Sequence, residues 1–214
     1  HVAPVDLTMA LAKGARMNGG EIYTQTEVTG IRQKPNDEWV VSTAQGDITC
    51  EVVISCTGNY ARETGRMVGL ELPVVPVEHG NPLVGPAPGL RNFYLSEGHS
   101  FGITAAGGSG KFLAEWIIEG HASIDMLGVD PRRYSAAQST RDFIKAKNEE
   151  AYEHVFIIHY DFEERPAARP TKTSRVYDRH KDLNAAFGQR YGWERPNWFA
   201  AKGQEPLNQY SFHT

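Results

Sequence analysis

Residues 92–120, NFYLSEGHSFGITAAGGSGKFLAEWIIEG, read as a strand, a glycine-rich turn and a helix that follow one another without interruption. Gly107, Gly108 and Gly110 would let the backbone approach a ligand closely. A helix that begins at Gly108 would also turn unpaired amides and its dipole toward an anion, with Lys111 just inside it. The stretch therefore favours a nucleotide cofactor. A tight turn with close helix packing would use the same glycines equally well.

Two better-known glycine signatures do not fit this stretch. A P-loop requires glycine and a hydroxyl residue where this chain has Ala105 and Phe112, so an ATPase is not indicated. The Rossmann pattern requires a glycine at Leu113, and no other G-x-G-x-x-G opens a βαβ unit in the sequence. The usual dinucleotide fingerprint is therefore missing.

Composition sets the outer limits on function. The chain has 214 residues and a formal net charge of -4, enough length for one or two domains with a core. The mild acidity argues against nucleic acid, and prolines interrupt the one dense basic group, Arg165 to Arg179, which we interpret as a solvated linker. No run approaches the roughly 18 apolar residues that span a bilayer, and no leader marks export.

The two cysteines are predicted to be reduced and buried. Cys50 and Cys56 lie on what reads as one extended segment, about 20 Å apart, and cannot pair with each other. No His or Cys cluster has the spacing of a zinc site, so the sequence predicts no metal.

Periodicity predicts a helix that feeds a small meander, followed by shorter elements. The run Val52–Ile54 is apolar on both faces, as in a central covered strand. Aromatic residues near the end, Tyr191, Trp193, Trp198 and Phe199, favour packing over recognition. The predicted helices are 6–18, 61–70, one from 108, and 131–152; the predicted strands are 21–23, 28–33, 39–43, 47–56 and 155–160.

Seven segments in order cover nearly the whole chain: PVDLTMALAKGARMNGGEIYTQTEVTGI, EVVISCTGNYARETGRMVG, PVEH, NPLVGPAPGLRNFYL, SFGITAAGGSGKFLAEWIIEG, HYDFEERPAARP and FGQRYGWERPNWFA. Together they resemble the dimethylglycine and sarcosine dehydrogenase family, flavoproteins of the D-amino-acid-oxidase type. The resemblance implies an α/β (α+β) fold: a partial FAD-binding domain of the glutathione-reductase/D-amino-acid-oxidase type in residues 1–125, and a central linker domain in 126–214.

The resemblance also indicates what this sequence lacks. Family members begin with a βαβ unit and the histidine that often carries flavin covalently, and neither has a counterpart here. Relatives place most of a substrate domain where only Gly80 separates His79 from Asn81. The last segment, QEPLNQYSFHT, resembles the entry to a folate-binding aminomethyltransferase-like region, so tetrahydrofolate would be bound only through that absent region.

Cofactor roles transfer position by position. The residue matching Val28 contacts the adenine end of FAD through its backbone, and the turn at Thr57 passes beside the nucleotide. The segment from Gly102 to Lys111 resembles one that points a helix start at the N1 and C2 carbonyl edge of the flavin, which replaces the phosphate interpretation of the same amides. The implied cofactor-binding residues are Val28, Thr57, Gly58, Gly102, Ile103, Thr104, Ala105, Ala106, Gly107, Gly108, Gly110 and Lys111.

His79 resembles an active-site histidine close to the flavin and the substrate amine. A histidine that titrates near neutrality suits deprotonation of an amine. Spacing alone favours a surface histidine beside a proline-rich turn, and the PVEH match shifts the balance to function. His99, His154 and His159 are interpreted as ordinary surface histidines.

The resemblance implies FAD-dependent oxidative demethylation of a small N-methyl amino acid such as dimethylglycine or sarcosine, with an electron-transfer partner. It implies a bacterial cytoplasmic or mitochondrial matrix location, with neither nucleic acid nor membrane as a partner. Two alternatives stay open: a non-catalytic fragment, and an interaction subunit that completes its sheet with a partner. Substrate identity, electron acceptor and oligomeric state are not specified by these residues.

Overall fold

The computed structural model describes residues 3–73, 81–155, 157–159 and 163–208. Within them lie five α-helices and eight strands, joined by short 3-10 turns. The elements are α1 (Pro4–Met17), β1 (Val28–Gln33), β2 (Trp39–Thr43), β3 (Gly46–Cys50), β4 (Val53–Ser55), α2 (Ala61–Met67), β5 (Leu83–Pro86), β6 (Phe93–Glu97), α3 (Gly102–Glu119), α4 (Arg141–His154), α5 (Tyr177–Asp182), β7 (Ala185–Arg190) and β8 (Trp193–Phe199).

Helix α1 confirms the prediction for residues 6–18. Pro4 stands in its first turn, where a missing N–H costs nothing, and Asp6 complements the helix dipole. None of its residues is buried, and Val5, Met9, Leu11 and Met17 expose between 59% and 77% of their surface. The apolar face of α1 therefore has no cover within the described chain.

Strands β1, β2 and β3 form the predicted antiparallel meander. The expected strand at 21–23 is wrong: this segment forms no strand, because the chain turns at Gly19 and again at Gln25, both with positive φ. The meander therefore begins at Val28.

The predicted strand 47–56 is two strands in two sheets. Cys50 pairs with Trp39 in the meander, whereas Val53 pairs with Phe93 in a second sheet of order β4-β6-β5. The chain must break at Glu51 and Val52 to change sheets. Strand β4 is parallel to β6, and β5 is antiparallel to it.

Two expectations about this region are wrong. Within the described residues β4 is an edge strand rather than a central one, with Ile54 47% exposed. Both cysteines are free, as expected, but Cys56 is exposed because its strand ends one residue earlier, at Ser55. The apolar pattern at 52–54 is thus only half covered.

One core joins the meander to the mixed sheet. Trp39, 1% exposed, meets the fully buried Phe93 edge to face at 5.1 Å, and its indole N–H donates to the Arg91 carbonyl at 3.0 Å. Helix α2 contributes the fully buried Ala61 to the same core. The two sheets and α2 therefore hold each other in place.

Helix α3 begins at Gly102, six residues before the predicted start at Gly108. Alanine and the long side chains of this segment favour helix, and interior glycines cost only about 1 kcal/mol each. The helix packs on β5, where Gly85, with φ of 140°, has the Trp116 ring 3.0 Å from the position of a β-carbon. Only glycine permits that approach.

The C-terminal part differs from its prediction in several ways. Residues 131–154 form two 3-10 turns and α4 rather than one long helix. The expected strand at 155–160 is wrong for its described residues, since the Val155 amide closes the end of α4 and residues 157–159 are not in a strand; residues 156 and 160 lie outside the described range. Within the predicted solvated linker 165–179, Arg169 pairs with the buried Glu194, and Lys172 bridges to Trp193, so the segment is part of the packed structure.

The aromatic residues at the end of the chain lie on and beside the β7–β8 hairpin, where the predicted packing covers them only in part. Tyr191, Trp193, Trp198 and Phe199 expose between 39% and 56% of their surface. Helix α5 packs on β7, where Tyr177 contacts Phe187 with ring centroids 4.6 Å apart. None of the described helices has both the length and the apolar character needed to cross a lipid bilayer.

Candidate functional site

The carboxyl ends of β4 and β6 meet at one edge of the mixed sheet. Ser55 lies opposite Leu95 in the parallel pair, so the turn after β4 and the loop after β6 begin side by side. The second loop leads directly into α3 at Gly102. Ligands of α/β sheets bind outside the carboxyl ends of parallel strands, so this edge is the candidate site.

Glu97 holds the two loops together. Its side chain, with the residue 1% exposed, accepts hydrogen bonds from the Thr57 amide at 2.8 Å and the Gly58 amide at 2.7 Å. It also accepts from the hydroxyls of Ser55 at 2.6 Å and Thr57 at 3.0 Å. Four donors converge on one buried carboxyl group, which fixes the backbone of the Thr57–Gly58 turn.

That turn has the open backbone expected of it. Gly58 has φ of 58°, a region that disfavours side chains, and no described atom lies within 4 Å of its β-carbon position. Gly58 starts a 3-10 turn that leads into α2, which packs against β1. A ligand can therefore approach the peptide at Gly58.

The free amides at this edge belong to the first turn of α3. No side chain caps the helix at Phe101, and the Ala105 amide is the first to bond within it, to the Phe101 carbonyl at 3.0 Å. The amides of Gly102, Ile103 and Thr104 therefore precede the helical ladder, as in any α-helix. They offer donors and the positive end of the dipole to an anion.

The predicted glycine-rich turn is wrong, because α3 already begins at Gly102 and contains these glycines. Amides from Ala105, Ala106, Gly107, Gly108 and Gly110 lie inside the helix, where each is engaged with a carbonyl four residues earlier.

Lys111 lies nine residues, or about 14 Å, along the axis from Gly102. It pairs with Glu115 at 3.7 Å on the exposed surface, away from the helix start. A β-carbon at Gly107, Gly108 or Gly110 would meet no described atom within 4 Å, so neither a tight turn nor close packing explains these glycines within the described chain.

His99, interpreted from the sequence as an ordinary surface histidine, lies in the same loop. Its Nε2 is 3.0 Å from the Ser96 hydroxyl, while its Nδ1 is buried and has no hydrogen-bond partner among the described residues. Burial lowers the pKa of His99 below its ordinary value, and the nearby Glu97 partly opposes that shift. The neutral imidazole is therefore favoured at this edge.

The remaining predicted residues lie elsewhere or outside the described range. Val28 is the first residue of β1, in the meander, and pairs with Thr43 across the strand. Helix α2, which contacts β1 and follows Gly58, is one link between this strand and the candidate site. His79 lies outside the described residues. No group of three His, Cys, Asp or Glu side chains arranged for a metal occurs in the described part of the chain.

Two family sequence models match the chain. The model of the FAD dependent oxidoreductase matches residues 1–79, and that of the FAD dependent oxidoreductase central domain matches residues 119–174. Mouse mitochondrial dimethylglycine dehydrogenase is 27% identical over 99% of this chain and 37% of its own length. Human mitochondrial sarcosine dehydrogenase is 23% identical over 98% of this chain and 34% of its own.

The chain is similar over nearly its whole length to dimethylglycine and sarcosine dehydrogenases, and its two matched parts fit models of FAD-dependent oxidoreductases. It spans about a third of the length of these relatives, and the mouse alignment runs over 321 residues against the 214 present here. Relatives thus carry residues without counterparts in this chain, which is compatible with the predicted internal deletion. Another relative, the mouse mitochondrial pyruvate dehydrogenase phosphatase regulatory subunit, is 22% identical over 96% of this chain and 35% of its own length.

The fold of this chain agrees with that of a solved dehydrogenase structure. L-proline dehydrogenase from P. horikoshii superposes with a TM-score of 0.55 at 18% identity, over 61% of this chain and 59% of that one. The mixed helix and strand architecture is thus a partial FAD-binding fold of the D-amino-acid-oxidase type, as predicted.

Glu97 and Ser55 are site residues that the sequence interpretation missed. A signal was present: Phe93, Leu95 and Glu97 alternate on the buried side of β6, so an acidic residue occupies an inward position at the strand end. A buried carboxyl group requires donors, and the parallel neighbour's carboxyl end is where they would be found.

The depressed pKa of His99 predicts a pH dependence of stability. Because the folded state resists protonation of His99 while the unfolded chain accepts it near pH 6.5, the unfolded state binds more protons. The contribution of neutral His99 to the free energy of unfolding is complete above about pH 6.5. It is lost as the pH falls through the lowered pKa of His99.

We expect His99→Gln to flatten the decline in the free energy of unfolding between about pH 7 and pH 5, measured by urea titration. His121→Gln, on an exposed loop, is the matched control. An unchanged slope in the His99 variant would contradict the assignment.

Proposed function

We propose that this chain provides part of the flavin site of an FAD-dependent oxidoreductase that oxidatively demethylates a small N-methyl amino acid, such as dimethylglycine or sarcosine. The observation that carries the proposal is the junction of the β4 and β6 carboxyl ends with the uncapped start of α3. The match to the FAD-dependent oxidoreductase model supports the cofactor, and the names of the relatives support the substrate class.

The residues present fit the ring end of a flavin better than its diphosphate. Gly102, Ile103 and Thr104 offer amides suited to a negatively polarised edge, and Gly58 leaves its peptide accessible. No glycine fingerprint for a diphosphate occurs in the sequence. FAD, when bound, would supply the hydride acceptor.

The protein's own groups would bind and orient at this edge. Amides of the α3 start would stabilise negative charge without reorganisation, since the helix already fixes them. Glu97 would hold the Thr57–Gly58 turn in its binding geometry through the four hydrogen bonds described above. His79 would take or orient the amine proton, by resemblance to its counterpart in the family.

Further parts of the proposal rest on the resemblance. Val28 would contact the adenine end, and residues 1–125 and 126–214 would form the FAD-binding and central domains. An electron-transfer protein would reoxidise the cofactor. The mitochondrial names of the relatives favour the matrix among the two predicted locations.

Gly102→Pro tests the amide contact directly. Proline is tolerated at the first position of a helix but removes the N–H, so binding is affected more than folding. We expect FAD affinity, measured by flavin fluorescence quenching, to fall about tenfold or more, since a hydrogen bond to a charged group contributes about 1.5 to 3 kcal/mol.

The matched control is Gly102→Ala, which adds a β-carbon and keeps the amide. That carbon would meet the β-carbon of His99 at 3.8 Å, an ordinary contact. If the two variants bind FAD with equal affinity, the amide at the start of α3 does not contact the cofactor. A purified chain that is colourless and fails to bind added FAD would overturn the cofactor proposal for this chain.

The second candidate is a non-catalytic interaction subunit whose sheet is completed by a partner. It is favoured by the unpartnered edge of β4, the exposed apolar face of α1 and the open glycine positions of α3, all among described residues. Gel filtration and amide hydrogen exchange test it. A monomer whose β4 amides are protected from exchange would rule this candidate out. Self-association, or capture of a partner that carries a βαβ unit, would support it.

A further inference from the structure

One cleft of the structure is lined by none of the proposed cofactor residues. It has a volume of about 660 Å³, within the range of small-molecule sites. Its walls are α4, the 3-10 turns before it and the turn of the β7–β8 hairpin. We call it the basic cleft, because its lining contains four cationic side chains, Arg133, Lys147, Arg165 and Arg190, and one carboxylate, Glu150.

Glu150, the single carboxylate among the described lining residues, is already satisfied. Glu150 is buried, and it accepts from the Lys147 ammonium at 3.0 Å and from the Ala167 amide at 2.7 Å. The charge of Lys147 is therefore balanced by Glu150. Three guanidinium groups in the lining remain without a carboxylate within 4 Å among the described residues.

Arg133 is fixed by neutral groups rather than by a counter-ion. Its guanidinium donates to the carbonyls of Asn81 at 2.9 Å and Asp130 at 3.0 Å, and it stacks 4.4 Å from the ring centre of Tyr134. Carbonyl contacts orient a guanidinium but leave its charge in place. The group is thus rigid and still able to attract an anion.

Arg165 supplies the most direct sign of a missing ligand. Its Nη1 is buried and has no hydrogen-bond partner in the described part of the chain. Leaving a charged donor buried and unpaired is costlier than leaving a neutral one so, and such a donor usually faces water, an ion or a ligand. Carboxylates and phosphates match the guanidinium fork.

The hairpin turn completes a rigid wall. Gly192, with φ of 83°, packs so closely on the buried Gln138 that a β-carbon would lie 3.2 Å from the Gln138 side-chain nitrogen. Lys172 further ties the turn through the Tyr191 carbonyl at 3.1 Å. Arg190 and Tyr191 are therefore presented on a fixed support, with Tyr134 and Phe143 as apolar surface nearby.

We propose that the basic cleft binds a small organic anion that carries carboxylate or phosphate groups. Three guanidiniums without a carboxylate partner among the described residues exceed the charge of one such group, so a dianion is preferred. The aromatic lining would contact its carbon skeleton. Glutarate and inorganic pyrophosphate, as dicarboxylate and phosphate probes, distinguish the two chemistries.

The test is calorimetric titration of the full chain with each probe at low ionic strength. We expect Arg165→Gln and Arg190→Gln each to weaken binding of the preferred probe at least tenfold, which is about 1.4 kcal/mol. Arg175→Gln, an exposed residue outside the cleft, should bind as the unaltered chain does. Arg190 is exposed, so its variant keeps the test valid where Arg165→Gln fails to fold.

Three results would overturn the proposal. The first is that neither probe binds at millimolar concentration. The second is that binding survives both cleft variants unchanged. The third is that Arg175→Gln weakens binding as much as they do, which would show a general charge effect. FAD binding by the same samples separates this proposal from that for the flavin site, because the two involve different residues.

Discussion

Replacing Arg169 with alanine should lower the free energy of unfolding by about 3 to 5 kcal/mol, the usual cost of removing one partner of a buried ion pair. The Arg169 guanidinium meets Glu194 through two hydrogen bonds, at 3.0 and 2.5 Å. The side chains are only 13% and 3% exposed. After the change, the Glu194 carboxylate keeps one side-chain donor, Gln189 at 3.2 Å, and its charge stays buried and unpaired.

Urea denaturation provides the measurement, with Lys145→Ala as the matched control. Lys145 faces Glu149 at 3.8 Å, and both side chains are more than 60% exposed, so that change should cost well under 1 kcal/mol. The double variant Arg169→Met with Glu194→Leu should recover much of the loss, because it removes the stranded charge as well. A cost for Arg169→Ala no larger than that of the control would contradict the structure.

Replacing Glu97 with glutamine is the second large expected effect, about 2 to 4 kcal/mol of unfolding free energy. Glutamine has one acceptor oxygen in place of two, and its amide nitrogen would face donors at Gly58 or at Ser55 and Thr57. At least one buried donor would lose its acceptor. The Thr57–Gly58 turn would then be released, and FAD affinity should fall together with stability.

The exposed Glu119→Gln at the end of α3 is the control for this change. Amide exchange separates local from global effects: the Thr57 and Gly58 amides should exchange faster in Glu97→Gln even in low denaturant, while amides of β2 keep their protection. If the Glu97 variant matches the Glu119 control in both stability and exchange, Glu97 does not hold the turn.

Elements with a clear local period were predictable from the sequence. Strands β1 and β2 and helix α1 match their predicted bounds to within two residues, because apolar spacing and flanking turn residues specify them without help from the rest of the chain. The family segments likewise predicted the fold class. Such signals come from residues that are close to one another in the sequence.

Features that depend on contacts between distant residues were not predictable. The break between Cys50 and Val53 arises because two sheets compete for one apolar run, and the local sequence does not record the second sheet. The start of α3 at Gly102 was obscured by glycines that a helix tolerates. Glu97 reaches donors some 40 positions earlier in the chain, so a spacing rule could not find the site centre.

Helix α1 has a thermodynamic consequence of its own. A 14-residue helix without a buried residue gains little from tertiary structure, and helices of that length are marginal in water. Its ordered state therefore lies at the low end of the local opening energies of this chain. Any surface that covers Val5, Met9 and Met17 must supply the ordering free energy of α1, so the helicity of this segment serves as a gauge of whether that surface is occupied.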